Sequence, residues 1–237
     1  MHNLQSFQNI SGFSNTNAVE AVVTLQSYIK SLSGLAAYYP LDETSGNAIN
    51  QAPDTLGTLN GTVTGATQGA TGQSGTAYSF DGVNDEIAIT GAAAINLSVF
   101  TYTAIVFRTA SGVNHAITGG SKGSGTRSPE FRMNTDNKIE LLEQSVASIG
   151  VSTGTIAQDT WAHVAVSYSA TGVFTFYING VASGTGTNLR SFAYENHFIG
   201  RQLTAEWFAG KIQHYAIFNR VLESSEILQQ AQLAGLA

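Results

Sequence analysis

Between Trp161 and Tyr168 the chain alternates with a period of two. Ala162, Val164, Val166 and Tyr168 fall on one face, and Trp161, His163, Ala165 and Ser167 on the other, which predicts a β-strand. Ser169-Ala170-Thr171-Gly172 then turns the chain into Val173–Ile178, where Phe174, Phe176 and Ile178 share a face, and Asn179-Gly180 supplies a tight hairpin turn. Three antiparallel strands in succession are expected here. Turn-rich stretches at 65–75, 119–125 and 183–186 cut the rest of the body into short strands with no long helical pattern between them, which favours two packed antiparallel sheets over a βαβ arrangement.

Only the two ends read as helical. Ala18, Val22, Leu25, Ile29 and Leu32 recur at spacings of three and four, predicting a helix over 17–32 with Asn17 as N-cap and Gly34 as stop. A second short helix is expected after Arg220. The chain therefore divides into an N-terminal arm, 1–34, and an all-β domain, 35–237. The apolar stripe Val22, Leu25, Ile29 and Leu32 has two readings: it packs back on its own sandwich, or it docks the head on a larger assembly or a second copy.

Composition narrows the partners. Charged residues make up 11% of the 237, against about 25% in an average soluble protein, and the net charge is −6. No basic stripe exists to neutralise phosphates, so nucleic acid and anionic membranes are excluded as partners. The longest apolar runs, such as Val19–Leu25, fall far short of the ~20 residues that cross a bilayer, and the first residues lack the pattern of a secretory signal. With no cysteine the fold needs no oxidising compartment. A weakly charged, hydroxyl-rich surface suits neutral partners such as sugars.

Several segments carry a resemblance. Leu35-Ala-Ala-Tyr-Tyr-Pro-Leu-Asp-Glu-Thr-Ser-Gly46, then Gly75-Thr-Ala-Tyr-Ser-Phe-Asp-Gly-Val-Asn-Asp85, precede the hairpin Thr160–Tyr168 and Val173–Gly180; Phe208-Ala-Gly-Lys-Ile212 and Ile217–Ile227 follow it. In this order, over about 35–235, the chain resembles the laminin-G-like jelly rolls of the concanavalin A-like superfamily. The resemblance implies a two-sheet antiparallel jelly-roll sandwich closed by a terminal helix. Two departures stand out: Gln213-His214 replaces the acidic pair common after Gly-x-Ile, which weakens any inherited carboxylate site, and Glu223 replaces the usual Ser or Thr helix cap.

Candidate chemistry is sparse. Retaining glycosidases of such folds need two carboxyl groups about 5–5.5 Å apart, which an alternating Glu-x-Asp-x-Glu strand can supply, and no such run is present. Glu140 and Glu143, three apart, are expected on opposite strand faces at a solvated edge. The five histidines are scattered without a His-Glu-x-x-His helix, His163 is expected to be hydrogen-bonded and partly buried in its strand, and neither a Gly-x-Ser-x-Gly elbow nor a phosphate loop occurs. No catalytic residue and no enzymatic activity are expected. No cofactor is expected either, with calcium the one candidate, on the oxygens of Asp81, Asn84 and Asp85; the competing role of these residues is the turn itself. For carbohydrate, the loop 190–207 offers Tyr194, Asn196, Arg201 and Trp207 as an aromatic platform with planar polar neighbours.

The arm-plus-head layout, the missing export signal and cysteine, and the lack of catalytic constellations together lead to one expectation. It is a non-enzymatic structural or decoration protein of a bacteriophage-like particle, exposed on the virion surface. Its partners would be capsid or other virion proteins or copies of itself, and its head would bind host-surface glycans. The alternatives are a bacterial carbohydrate-binding or adhesion module, extracellular or on the cell surface, and a polysaccharide hydrolase of the same superfamily.

Overall fold

The computed structural model describes residues 23–53, 59–121, 128–144, 147–202 and 206–237. Strands dominate, and they form two antiparallel sheets. The larger runs β13 (Val181–Thr187), β12 (Val173–Ile178), β11 (Trp161–Tyr168), β6 (Phe100–Arg108), β15 (Ala209–Phe218), β4 (Thr76–Asp81), β3 (Thr67–Thr71); β1 (Leu35–Tyr39) pairs with the second half of β15. The smaller runs β10 (Ala147–Val151), β9 (Ile139–Glu143), β8 (Pro129–Met133), β7 (His115–Ser121), β14 (Asn196–Ile199), β5 (Glu86–Ile89), β2 (Thr62–Thr64). This is the expected jelly-roll sandwich.

The predicted hairpin forms as read. β11 pairs with β12 in the register Val164↔Ile178 to Tyr168↔Phe174, and Asn179 and Gly180 both take positive φ, as the tight turn into β13 requires. Val164, Val166 and Tyr168 enter the central core with Tyr102 and Ala104 of β6, facing Phe131, Leu141 and Ile199 of the other sheet. Phe100 stacks on Tyr102 at 4.4 Å and on Tyr168 at 5.3 Å, so offset aromatic rings fill much of the inter-sheet space.

A second, smaller core lies on the outer face of the larger sheet, beneath α1 (Leu25–Ser31) and α2 (Ser224–Leu233). The observed α1 starts later than the predicted helix. Thr24 is extended and caps it in a reciprocal box with Ser27, and Leu32 is already extended at the other end. The predicted N-cap Asn17, with Ala18 and Val22, lies outside the described residues. Leu25 and Ile29 are buried against Tyr38, Phe218, Leu222 and Ile227, and Leu32 packs on the same cluster. Of the two readings of the stripe, these three residues follow the inward one.

α2 explains why the Glu223 departure costs little. Glu223 and Glu226 form the capping box themselves, while Arg220 clasps Glu226 with two bonds of 2.7 and 2.8 Å. That guanidinium holds the Glu226 carboxyl below its ordinary pKa. His163 is wholly rather than partly buried, because α2 lays Gln230 directly over its strand, and burial lowers the imidazole pKa to about 4.

Candidate functional site

On the smaller sheet, side-chain alternation sorts the strands into a core face and an outer face. Phe131 and Met133 point into the core, so Glu130 and Arg132 of β8 point out; Ile139 and Leu141 place Glu140 and Leu142 of β9 beside them in register. Ile87 and Ile89 of β5 are likewise inward, leaving Glu86 and Ala88 outward, and Phe198 of β14 pairs with Ala88. The outer face thus gathers charge on one side and an aromatic ring on the other.

The segment after β14 folds back across this face. Gly200 turns at φ 85, where a Cβ would run into the Phe80 ring, and Arg201 then bridges to Trp207. The backbone of Arg201 and Gln202 lies flat on β7 because residue 119 is glycine: a Cβ there would stand 3.0 Å from the Arg201 carbonyl oxygen and 3.2 Å from Gln202 Cα. This crossing returns Glu206 above β8, where Arg132 Nη1 donates to both of its carboxylate oxygens at 2.6 and 2.7 Å and Asn114 Nδ2 donates to Oε1 at 2.7 Å.

Arg132 is the centre of a carboxylate cluster. Its Nε donates to Glu140 Oε2 at 3.0 Å, and its Nη1 stands 3.7 Å from Glu130 Oε1. Burial opposes the Arg132 charge, but Glu206, Glu140 and Glu130 outweigh it and raise the pKa. Glu130 has no exposed side-chain surface; burial first, then the neighbouring Glu206 as hydrogen-bond partner and like charge, lifts its pKa to about 9. It is therefore a neutral acid at physiological pH. Beside the cluster lies a pocket of about 300 Å³ lined by Glu130, Arg132, Glu140, Leu142, Ser148 and Gln202.

At the other end of the face, Arg201 forms a close ion pair with Glu86. Its guanidinium lies 4.1 Å over the Phe198 ring and 5.4 Å from that of half-buried Trp207. Asn196 stands on the same face, with Nδ2 donating to Ser121 Oγ at 3.3 Å. Of the four predicted carbohydrate residues, Asn196, Arg201 and Trp207 are thus brought together, and Tyr194 is not. Tyr194 is 1% exposed, its ring 5.8 Å from that of His197 in the core and its hydroxyl donating to the Ile95 carbonyl, so it cannot serve as a platform.

One further expectation changes. Glu140 and Glu143 do fall on opposite faces, but not at a solvated edge: β10 covers β9, and both are buried, Glu140 against Arg132 and Glu143 with Arg190 at 3.5 Å. The calcium candidates build their turn. Asp81 Oδ1 accepts from the amides of Val83 and Asn84 at 2.8 and 3.3 Å, and Asp85 Oδ2 accepts from the Asp81 amide at 2.8 Å. Among the described residues no group of three or more His, Cys, Asp or Glu side chains is placed to hold a metal ion.

Sequence reasoning missed Glu86, Glu130, Arg132, Phe198, Gln202 and Glu206. The alternation Glu130-Phe131-Arg132-Met133 was the available signal for two of them.

A laminin G family model, described as the concanavalin A-like lectin/glucanases superfamily, matches residues 80–228. No curated protein matches the sequence. The fourth domain of AbnA, an extracellular arabinanase from Geobacillus stearothermophilus solved with arabinotriose, superposes with a TM-score of 0.66 at 21% identity, covering 84% of this chain and 98% of that domain. Trypanosoma rangeli sialidase, solved with a difluorinated 2-keto-3-deoxy-nononic acid, gives 0.65 at 16% identity over 84% of this chain; the chain spans only 32% of the sialidase. At these identities the two structures speak for the fold, and the family match, which takes in the central hairpin, the carboxylate cluster and the closing strand, carries the assignment: this chain belongs to the concanavalin A-like lectin/glucanase superfamily.

Proposed function

We propose that the domain is a non-catalytic carbohydrate-binding module whose ligand lies on the outer face of the smaller sheet, between the Arg132 cluster and the stack of Phe198, Arg201 and Trp207. The observation that carries this is the pairing of the partly exposed Trp207 and Arg201, the latter laid over the buried Phe198 ring, with a pocket rimmed by carboxylate and amide oxygens. Sugars present apolar C–H faces to the first and hydroxyl donors to the second. Support also comes from the AbnA domain, which shares the fold along nearly its whole length and was solved with arabinotriose.

A hydrolytic role is disfavoured by the placement of the acids. A general acid must reach the glycosidic oxygen, and Glu130, the one acid of the cluster with a strongly raised pKa, has no exposed side-chain surface. The virion-decoration role comes second, because Leu25, Ile29 and Leu32 of its docking stripe already pack on their own sandwich. Isothermal titration of the full chain with arabino-, xylo- and gluco-oligosaccharides tests the proposal. Saturable binding to at least one of them, lost in Trp207→Ala with the fold intact by circular dichroism, is expected. Absence of binding across the panel, or release of reducing ends from a bound polysaccharide, overturns it.

A further inference from the structure

We infer that this site selects uncharged glycans, and that Glu86 sets the selectivity by occupying Arg201, the guanidinium that would otherwise receive a uronic or sialic acid carboxylate. The inference rests on the binding reading above. Sugar carboxylates are recognised by guanidinium groups with a free edge, through paired, charge-assisted hydrogen bonds. Among the described residues this face offers two arginines, and each already faces a carboxylate. Arg132 is clasped by Glu206 and Glu140, and Arg201 by Glu86.

The balance of charge points the same way. Glu86, Glu130, Glu140 and Glu206 outnumber the two arginines, and the surplus remains when Glu130 is counted as a neutral acid. An anionic sugar would enter a negative field and would have to break an existing ion pair to find a cation. A neutral sugar meets neither obstacle. Its hydroxyls are donors, and the side chains that line the pocket, Glu140, Ser148 and Gln202 among them, carry oxygen acceptors. Glu86 pairs with Arg201 while that guanidinium lies over the Phe198 and Trp207 rings.

The test is titration of the full chain with arabinotriose, cellotriose, lactose, trigalacturonate and sialyllactose. The wild type is expected to bind at least one neutral sugar, with the acidic ones at least about tenfold weaker. Glu86→Gln frees Arg201 and is expected to raise affinity for trigalacturonate or sialyllactose by about tenfold, a gain that disappears at high salt. Glu140→Gln, which frees Nε of Arg132, is an independent second route should the first variant fold poorly. Equal binding of neutral and acidic sugars by the wild type, or no acidic gain in either folded variant, overturns the selectivity and leaves the binding reading standing. Binding of no sugar at all by the wild type removes both.

Discussion

Replacing Glu130 with glutamine isolates what a buried acid costs this domain. The side chain has no exposed surface, and burial together with the neighbouring Glu206 moves its pKa from an ordinary 4.5 to about 9. The unfolded chain releases this proton near 4.5 and the folded chain keeps it. Between those two values folding takes up a proton, so the group's contribution is undiminished below about pH 4.5 and is lost progressively as pH rises toward 9. At about 1.4 kcal/mol per pH unit, the accumulated cost at pH ~7.5 is on the order of 4 kcal/mol. Glutamine keeps the shape of the neutral acid, offers Glu206 an N–H donor, and has no proton to lose. The variant is expected to exceed the parent in stability by a few kcal/mol at pH ~7.5, with the difference shrinking toward zero near pH ~4.5. Urea unfolding followed by the fluorescence of Trp161 and Trp207, at several pH values and with unchanged m, measures this. A difference that does not vary with pH, or a variant less stable than the parent at pH ~7.5, would refute the reasoning.

Other consequences follow from burial and backbone geometry. Burial holds His163 and His214 at about 4 and His197 at about 3, below the ordinary 6.5, so their stabilisation is complete above about pH 6.5 and is lost as pH falls toward 4. Three histidines outweigh the single Glu130 there, and calorimetry should show the melting temperature dropping below about pH 6; a flat profile would contradict their burial as neutral rings. Gly200→Ala, at φ 85 and against the Phe80 ring, is expected to cost about 2–4 kcal/mol in denaturant unfolding and to weaken sugar binding by shifting Arg201. Ile29→Ala, at a position 1% exposed, should cost about 2–4 kcal/mol, whereas a near-neutral result would mean that α1 contributes little to the sandwich.

The parts legible in the sequence were those fixed by local pattern. Alternation from Trp161 to Tyr168 and the Asn179-Gly180 turn specify a hairpin without reference to anything distant, and the structure contains it in that register. The site was only half legible. Asn196, Arg201 and Trp207 belong to one stretch of chain, but Arg132 and Glu206 are 74 residues apart and meet because Gly119, on a third segment, lets the returning backbone lie flat. No local signal announces such a crossing. Tyr194 failed for a related reason: a tyrosine in a loop reads the same whether its hydroxyl meets solvent or, as here, the carbonyl of Ile95 nearly a hundred residues away. Glu140 was misplaced because an isolated strand does not reveal that another, β10, lies outside it.

The antiparallel pairing of β1 with β15 has a mechanical consequence. Leu35, at the start of β1, lies opposite Phe218, at the end of β15, so the outer ends of both strands leave the sheet at the same corner. A load applied between the two ends of the domain pulls these strands apart from that corner, once α1 and α2 have been lifted away. The backbone bonds of the ladder then break one after another, from Leu35 toward Tyr39, rather than together as they would if the strands were sheared along their length. A domain tethered by both ends would yield by peeling at its first strand, at low force, while the Arg132 and Arg201 face on the opposite sheet stayed intact until β15 itself was drawn out.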